Sequence, residues 1–190
     1  MKQPQGTDLG DPLDLMLIEH GEHQDLCDLL EEIADSLPSR VDCKKARQAA
    51  NALKNDLPLH HRIEEEALFP LLVKYADDED NVDEIVARLN DEHVVDESFA
   101  EELIEVLESL ARGKSLEDAN MFGYMLRGFF ENYRRHIMWE NNVVLPLARR
   151  RFPADGLRQL ARLMVDIKTS FINQDAETPA CNGECEDCKK

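Results

Sequence analysis

Four histidines are spread through the chain so that each falls in a different segment with helical spacing of apolar residues. They are His20, His60, His93 and His136. The helical stripe that runs through each histidine is otherwise mostly apolar, as in Leu13, Met16, Leu17, Cys27 and Ala34 around His20, which places the imidazoles on the inward face of a helix. A single histidine on such a face is usually a hydrogen-bonded core residue. One on each of four helices instead predicts a shared centre.

Three of these histidines have a glutamate four residues later. The pairs are His60 with Glu64, His93 with Glu97, and His136 with Glu140. Residues spaced i and i+4 lie one above the other on a helix, so each pair can offer a nitrogen and an oxygen to one point. Burying several carboxylates is costly unless cations neutralise them. The pattern therefore predicts a metal site.

The ligand types and their number indicate which metal is bound. Imidazole and carboxylate together suit iron, manganese or zinc, and the set is larger than one tetrahedral zinc can use. Two ions fit better, with Glu64 and Glu140 bridging them and the four histidines divided between them. Positions would remain for water, a dioxygen species or another small ligand. No Glu lies three residues before any His, which disfavours the Glu-x-x-His pattern of ferritin-like bundles.

The elements that would position these residues are all helical. Helices are predicted over about 12–37, 41–75, 82–111, 115–148 and 154–171. Asp11 is the expected N-cap of the first and Ser115 of the fourth, and Pro58 should interrupt the second. Short connections between four long helices predict an up-down-up-down four-helix bundle, all-α, with a short fifth helix packed outside.

The chain divides into a bundle over 1–173 and a flexible polar tail over 174–190. The tail carries Cys181, Cys185 and Cys188 in a C-x3-C-x2-C pattern. Three thiols could bind or pass on a metal ion, form a redox disulfide, or have no role.

The composition limits the partners. With 22 basic and 40 acidic residues the formal net charge is −18, which disfavours nucleic acid and anionic lipid and favours cations. No run of apolar residues is long enough for a membrane span or a signal peptide. Five cysteines are an odd number and do not suggest a secreted disulfide framework. We therefore expect a cytoplasmic protein with no membrane or nucleic-acid partner.

Two segments carry a resemblance to a known family. Residues 60–70, HHRIEEEALFP, and 136–146, HIMWENNVVLP, resemble the His-x3-Glu and Leu-Phe-Pro signature of hemerythrin-like, or HHE cation-binding, domains. In both, the proline follows the histidine by ten residues, which selects His60 over His61 and Glu64 over Glu65. The pairs at 19–20 and 92–93 are similar to the family's Glu-His motifs. The resemblance covers about 12–150.

The resemblance implies a non-haem di-iron centre with an oxo or hydroxo bridge and two bridging carboxylates. Family members include oxygen carriers, oxygen, redox or iron sensors, and proteins that repair iron–sulfur clusters. The carriers have a fifth histidine one turn after the third-helix histidine, where this sequence has Glu97. The chain thus looks closer to the four-histidine, carboxylate-rich branch.

Glu97 has two possible roles. As a metal ligand it would stabilise ferric iron and disfavour reversible oxygen binding; otherwise it would accept a hydrogen bond from an imidazole. The candidate metal-site residues are His20, His60, Glu64, His93, Glu97, His136 and Glu140. His23 and His61 are expected beside the site or at the surface.

The leading hypothesis is a di-iron protein that senses or handles iron, oxygen or nitric oxide, including iron–sulfur cluster repair, iron delivery or a stress response. Its partners would be metal ions and a small diatomic ligand or peroxide. A di-iron oxidase or peroxidase, in which Tyr133 assists, is the alternative from the enzyme class, and a reversible oxygen carrier is less favoured. In a third hypothesis, the histidines only form hydrogen bonds in a structural bundle.

Overall fold

The computed structural model describes residues 10–38 and 41–177, and this part of the chain contains helices and turns but no strand. The α-helices are α1 (Pro12–Ser36), α2 (Cys43–Asn51), α3 (Leu57–Ile63), α4 (Phe69–Tyr75), α5 (Val82–Ala111), α6 (Ala119–Trp139), α7 (Leu145–Arg151) and α8 (Ala154–Glu177). α2 to α4 run on as one long helix, and so do α6 and α7. The predicted all-α bundle is confirmed.

Both ends of α1 follow the sequence signals. The Asp11 side chain accepts a hydrogen bond from the Leu13 amide at 2.9 Å, and Pro12 occupies the first turn, where its missing N–H costs nothing. The helix ends at Ser36, just before Pro38.

Three π-helical turns interrupt the long helices, each directly before an X-Pro pair. They are Ala52–Asp56, Glu64–Leu68 and Glu140–Val144, followed by Pro58, Pro70 and Pro146. Proline has no N–H to give to the carbonyl four residues back. In each case the residue before the proline donates instead to the carbonyl five residues back, as Phe69 does to Glu64. The predicted interruption near Pro58 is confirmed, and the other two π turns were not predicted.

Two predicted helix ends need correction. α6 begins at Ala119, and its N-cap is Asp118, whose carboxylate accepts from the Met121 amide at 2.9 Å, instead of Ser115. Both are good capping residues, but the buried apolar face begins only at Phe122. α8 continues to Glu177, beyond the predicted end at 171. The three tail cysteines lie outside the described residues.

The helices pack as an antiparallel bundle in which α1 contacts α6 and α2 contacts α5. α8 lies outside the bundle against α1 and α3, as expected for the fifth helix. None of the described helices is both long enough and apolar enough to cross a membrane.

The apolar core forms two clusters. One includes Leu30, Leu53, Leu103 and Phe129, and the other includes Met16, Leu68, Leu89 and Val144. Along the four long helices, the buried histidines and glutamates lie at or next to the change from one cluster to the other; Glu64 directly follows Ile63 of the second cluster, and His136 directly precedes Ile137 of the first. The bundle therefore encloses a polar layer between two apolar ones.

Candidate metal centre

Six of the seven predicted ligands lie together in the polar layer. They are His20, His60, Glu64, His93, His136 and Glu140, and none is more than 3% exposed. Each of the four long helices contributes a histidine. In chain order they are α1, the second long helix formed by α2 to α4, α5, and the fourth long helix formed by α6 and α7. The histidines that the spacing assigned to four different helices therefore do lie at one shared site.

The six side chains form two overlapping sets of potential ligands. One set is His20, His60, Glu64 and Glu140, and the other is Glu64, His93, His136 and Glu140. In each set, one donor atom from every residue lies within 4.8 Å of the others. Both glutamates belong to both sets, which is the arrangement needed for two carboxylates to bridge two ions.

The individual distances show how each carboxylate spans the site. Glu64 Oε1 lies 3.9 Å from His20 Nε2, while its Oε2 lies 3.3 Å from His93 Nε2. Glu140 Oε1 lies 3.1 Å from His136 Nε2, and its Oε2 lies 3.5 Å from His20 Nε2. Each carboxylate therefore reaches histidines of both sets.

The donor atoms at this centre have no protein hydrogen-bond partner. These atoms are Nε2 of His20, His60, His93 and His136 and all four carboxylate oxygens of Glu64 and Glu140. Buried polar atoms almost always have a partner, because an unpaired one costs about 1–3 kcal/mol. So many unpaired donors facing one point fit bound metal ions, and imidazole with carboxylate is a donor set suited to iron.

The charge of each residue at the site depends on its neighbours. Burial opposes ionisation of Glu64, yet the imidazoles of His60, His20 and His93 hold its pKa well below the usual range. Burial likewise disfavours an imidazolium at His136, but Glu140 raises the pKa of His136 to about 10. The carboxylates thus attract positive charge, which bound metal ions would supply in place of protons.

Three of the imidazoles are oriented through their other ring nitrogen. His93 Nδ1 donates to Glu65 Oε1 at 2.8 Å, His136 Nδ1 donates to Glu92 Oε2 at 3.0 Å, and His20 Nδ1 donates to Asn141 Oδ1 at 2.6 Å. Such contacts fix the tautomer and leave Nε2 free for a metal.

The sequence pattern selected Glu64 over Glu65 as a ligand and gave Asn141 no role. Both, like Glu92, are direct neighbours of a ligand in the sequence, and each supports a ligand on a different helix. Adjacency to Glu64, Glu140 and His93 was the signal that could have identified them.

Glu97, the seventh predicted ligand, lies apart from the centre. Its side chain is 48% exposed and belongs to neither set of ligands. Its Oε1 accepts a hydrogen bond from His61 Nδ1 at 3.0 Å. The geometry favours the second of the two roles considered for Glu97, a hydrogen bond to an imidazole.

His23 and His61 are both buried, at 5% and 1% exposure, so neither has the surface role considered for it. His23 Nδ1 shares a hydrogen bond of 3.1 Å with the Tyr133 hydroxyl, and its ring lies 4.6 Å from that of His60. Burial raises the pKa of Tyr133 well above its ordinary value, so the phenol stays protonated.

A cavity of about 120 Å³ adjoins the centre at His60. It is lined by buried His60 and His23 and by the more exposed Glu22 and Lys168. Glu19, also in its wall, pairs with Lys168 and lies 3.7 Å from His60 Nδ1. A small molecule could approach the centre from this side.

Comparison with protein families agrees with the geometry. Residues 11–148 match the family model of the hemerythrin HHE cation binding domain, which covers all four helices of the site. The chain belongs to this family. A search of curated proteins finds no matching relative. The match ends before α8 begins. The two sets of buried histidines and glutamates agree with a metal-binding domain.

Proposed function

We propose that the protein is a cytoplasmic non-haem di-iron protein that senses or handles iron, oxygen or nitric oxide. The ligands would be His20, His60, Glu64, His93, His136 and Glu140. The observation that carries this proposal is the sharing of Glu64 and Glu140 by two sets of buried ligands whose donor atoms have no other partner.

The residues of the chain have distinct tasks at such a centre. When bound, an iron pair linked by an oxo or hydroxo bridge supplies redox chemistry and affinity for small diatomic molecules. The two glutamates would hold both ions and offset their positive charge. Glu65, Glu92 and Asn141 orient the imidazoles, and the apolar clusters on both sides limit the access of water.

Iron is preferred to zinc because the site offers more ligands than one tetrahedral ion needs. A role in iron–sulfur cluster repair or iron delivery under stress agrees with such a centre. Such a role would involve the three tail cysteines if they carry metal.

The test is anaerobic reconstitution with ferrous iron, with iron counted per chain, followed by optical spectra after addition of dioxygen or nitric oxide. We expect about two irons per chain and a ligand-to-metal charge-transfer band after oxidation. Glu64→Gln should lose iron, whereas Glu66→Gln, on the exposed face of the same π turn, should not. Retention of fewer than two irons per chain by the wild-type protein would contradict the proposal.

A second candidate is a di-iron oxidase or peroxidase. The buried Tyr133 favours it, because its ring lies 5.8 Å from that of His136 and its hydroxyl pairs with His23. Turnover of hydrogen peroxide by the iron-loaded protein, lost in His136→Ala, would support this function. A stable and reversible oxygenated spectrum would instead indicate an oxygen carrier.

A further inference from the structure

His61 has the features of a metal ligand, although its neighbour His60 fills the expected position. It is 1% exposed, and its Nε2 has no hydrogen-bond partner. Donor nitrogens of His61, His93 and His136 lie within 4.8 Å of one another and form a third group able to hold a metal ion. The His61 ring stacks on that of His93 with centroids 3.9 Å apart and planes 5° apart.

The hydrogen bonding of His61 matches that of the other candidate ligands. Nδ1 of His93 is held by Glu65 and Nδ1 of His136 by Glu92, and in the same way Nδ1 of His61 is held by Glu97 at 3.0 Å. In all three residues, this leaves Nε2 as the free donor.

His23 provides a contrast within the same core. It is also buried and lies beside His60, but its Nδ1 pairs with Tyr133 and it belongs to none of the groups of potential ligands. Burial of an imidazole next to the centre is therefore not enough to produce the features seen at His61.

We propose that His61 is a fifth imidazole ligand and binds the metal ion held by His93 and His136. This inference rests on the proposed di-iron function and deepens it. The second long helix then supplies a histidine to each ion, His60 to one and His61 to the other. Glu97, one turn after His93, supports this ligand and does not bind metal itself.

The fifth ligand makes the two metal positions unequal. The His93 and His136 ion would have three imidazoles and the two shared carboxylates, whereas the His20 and His60 ion would have two imidazoles and the same carboxylates. In octahedral coordination, the ion with fewer protein ligands keeps a position for an exogenous ligand. The 120 Å³ cavity adjoins His60, on the side of that ion.

The experiment compares the wild-type protein with His61→Gly and the matched control His23→Gly, each loaded with ⁵⁷Fe(II) and then oxidised. Iron per chain is counted, and Mössbauer spectra are recorded with and without added imidazole, which can fill the space of the missing side chain. Circular dichroism checks that each variant is folded, and His61→Gln, which nearly preserves the volume, serves as a second variant.

We expect His61→Gly and His61→Gln to lose about one of two irons or to change one of two quadrupole doublets. Imidazole should restore the spectrum of His61→Gly, which a purely structural role would not allow. His23→Gly should retain both irons and both doublets. If both His61 variants keep two irons with unchanged doublets, the inference is wrong while the di-iron function stands. A wild-type protein with fewer than two irons contradicts both.

Discussion

Glu64 and Glu140 occupy equivalent positions on two different helices and bring a carboxylate oxygen each to within 4.8 Å of one another. Each is the first residue of a π turn, each follows a histidine by four residues, and each precedes a proline by six. A π turn adds a residue to a helix and rotates the next helical segment about the axis, and such turns are frequent at functional sites. The two prolines therefore help to aim the carboxylates at the centre.

Replacing Pro146 with Ala restores a backbone donor for the carbonyl four residues back, which allows the π turn at Glu140 to relax to α-helix. We expect the affinity for iron to fall by about tenfold or more, because losing the groups that orient a metal ligand has an effect of that size. The measurement is competition for iron with a chelator of known affinity.

Pro58→Ala is the matched control, because its π turn, Ala52–Asp56, carries none of the predicted ligands. It should leave the affinity within about twofold of wild type, given that remote changes leave ligand orientation intact. Equal losses in both variants would show that the π turns matter only for the path of the helix.

Removal of metal should lower the thermal stability, because the metal binds the folded chain far better than the unfolded one. At a free metal concentration about 100 times Kd the gain is about 2.7 kcal/mol, which corresponds to about 5–10 °C in Tm for a chain of this size. Calorimetry with and without a chelator measures this difference. Glu64→Gln should abolish the metal-dependent shift, and the persistence of a full shift in that variant would argue against Glu64 as a ligand.

Tyr133→Phe removes the hydroxyl that pairs with His23 Nδ1 and leaves a buried nitrogen without its partner. The free energy of unfolding in urea should fall by about 1–3 kcal/mol. The iron content should stay at the wild-type value, because the Tyr133 hydroxyl pairs with His23, which belongs to none of the groups of potential ligands. Loss of iron in this variant would instead place Tyr133 or His23 at the metal.

Asp80 should contribute a pH-dependent part of the stability. Hydrogen bonds from Arg151 and from the backbone amide of Asp77 lower the pKa of the Asp80 carboxyl to about 2, from an ordinary 3.8. A carboxyl group whose pKa is lower in the folded protein than in the unfolded chain stabilises the fold at pH values above its unfolded-state pKa. This stabilisation is lost as the pH falls through the folded-state pKa. Asp80→Asn should therefore be less stable than wild type at pH 7, and the difference should shrink toward pH 2 and vanish below it. Urea midpoints across this pH range measure it, and a constant difference would exclude ionisation of Asp80 as its cause.

The sequence predicted much of the site because helix geometry is local. The spacing of His60 and Glu64, or of His136 and Glu140, fixes both residues on one face whatever the rest of the chain does. The apolar periodicity defined the helices well, and the start of α5 at Val82 is as predicted.

The burial of His61 could not be predicted in this way, since adjacent residues of a helix point about 100° apart and only one was expected to face inward. In the structure the second long helix lies between α1 and α5, so that His60 contacts His20 while His61 stacks on His93. Both directions are buried. Which helices are neighbours depends on tertiary packing, and the same information was needed to assign Glu65 and Glu92 to their partners.

The polar layer between the two apolar clusters has a consequence for cooperativity. Without bound metal ions, the layer between the clusters contains buried donor atoms that have no hydrogen-bond partner, which weakens the coupling between the two halves. The metal-free chain should consequently open in two subglobal units with separate hydrogen-exchange rates, while the metal-loaded chain should exchange as one. Iron would then determine how many independent folding units the bundle contains.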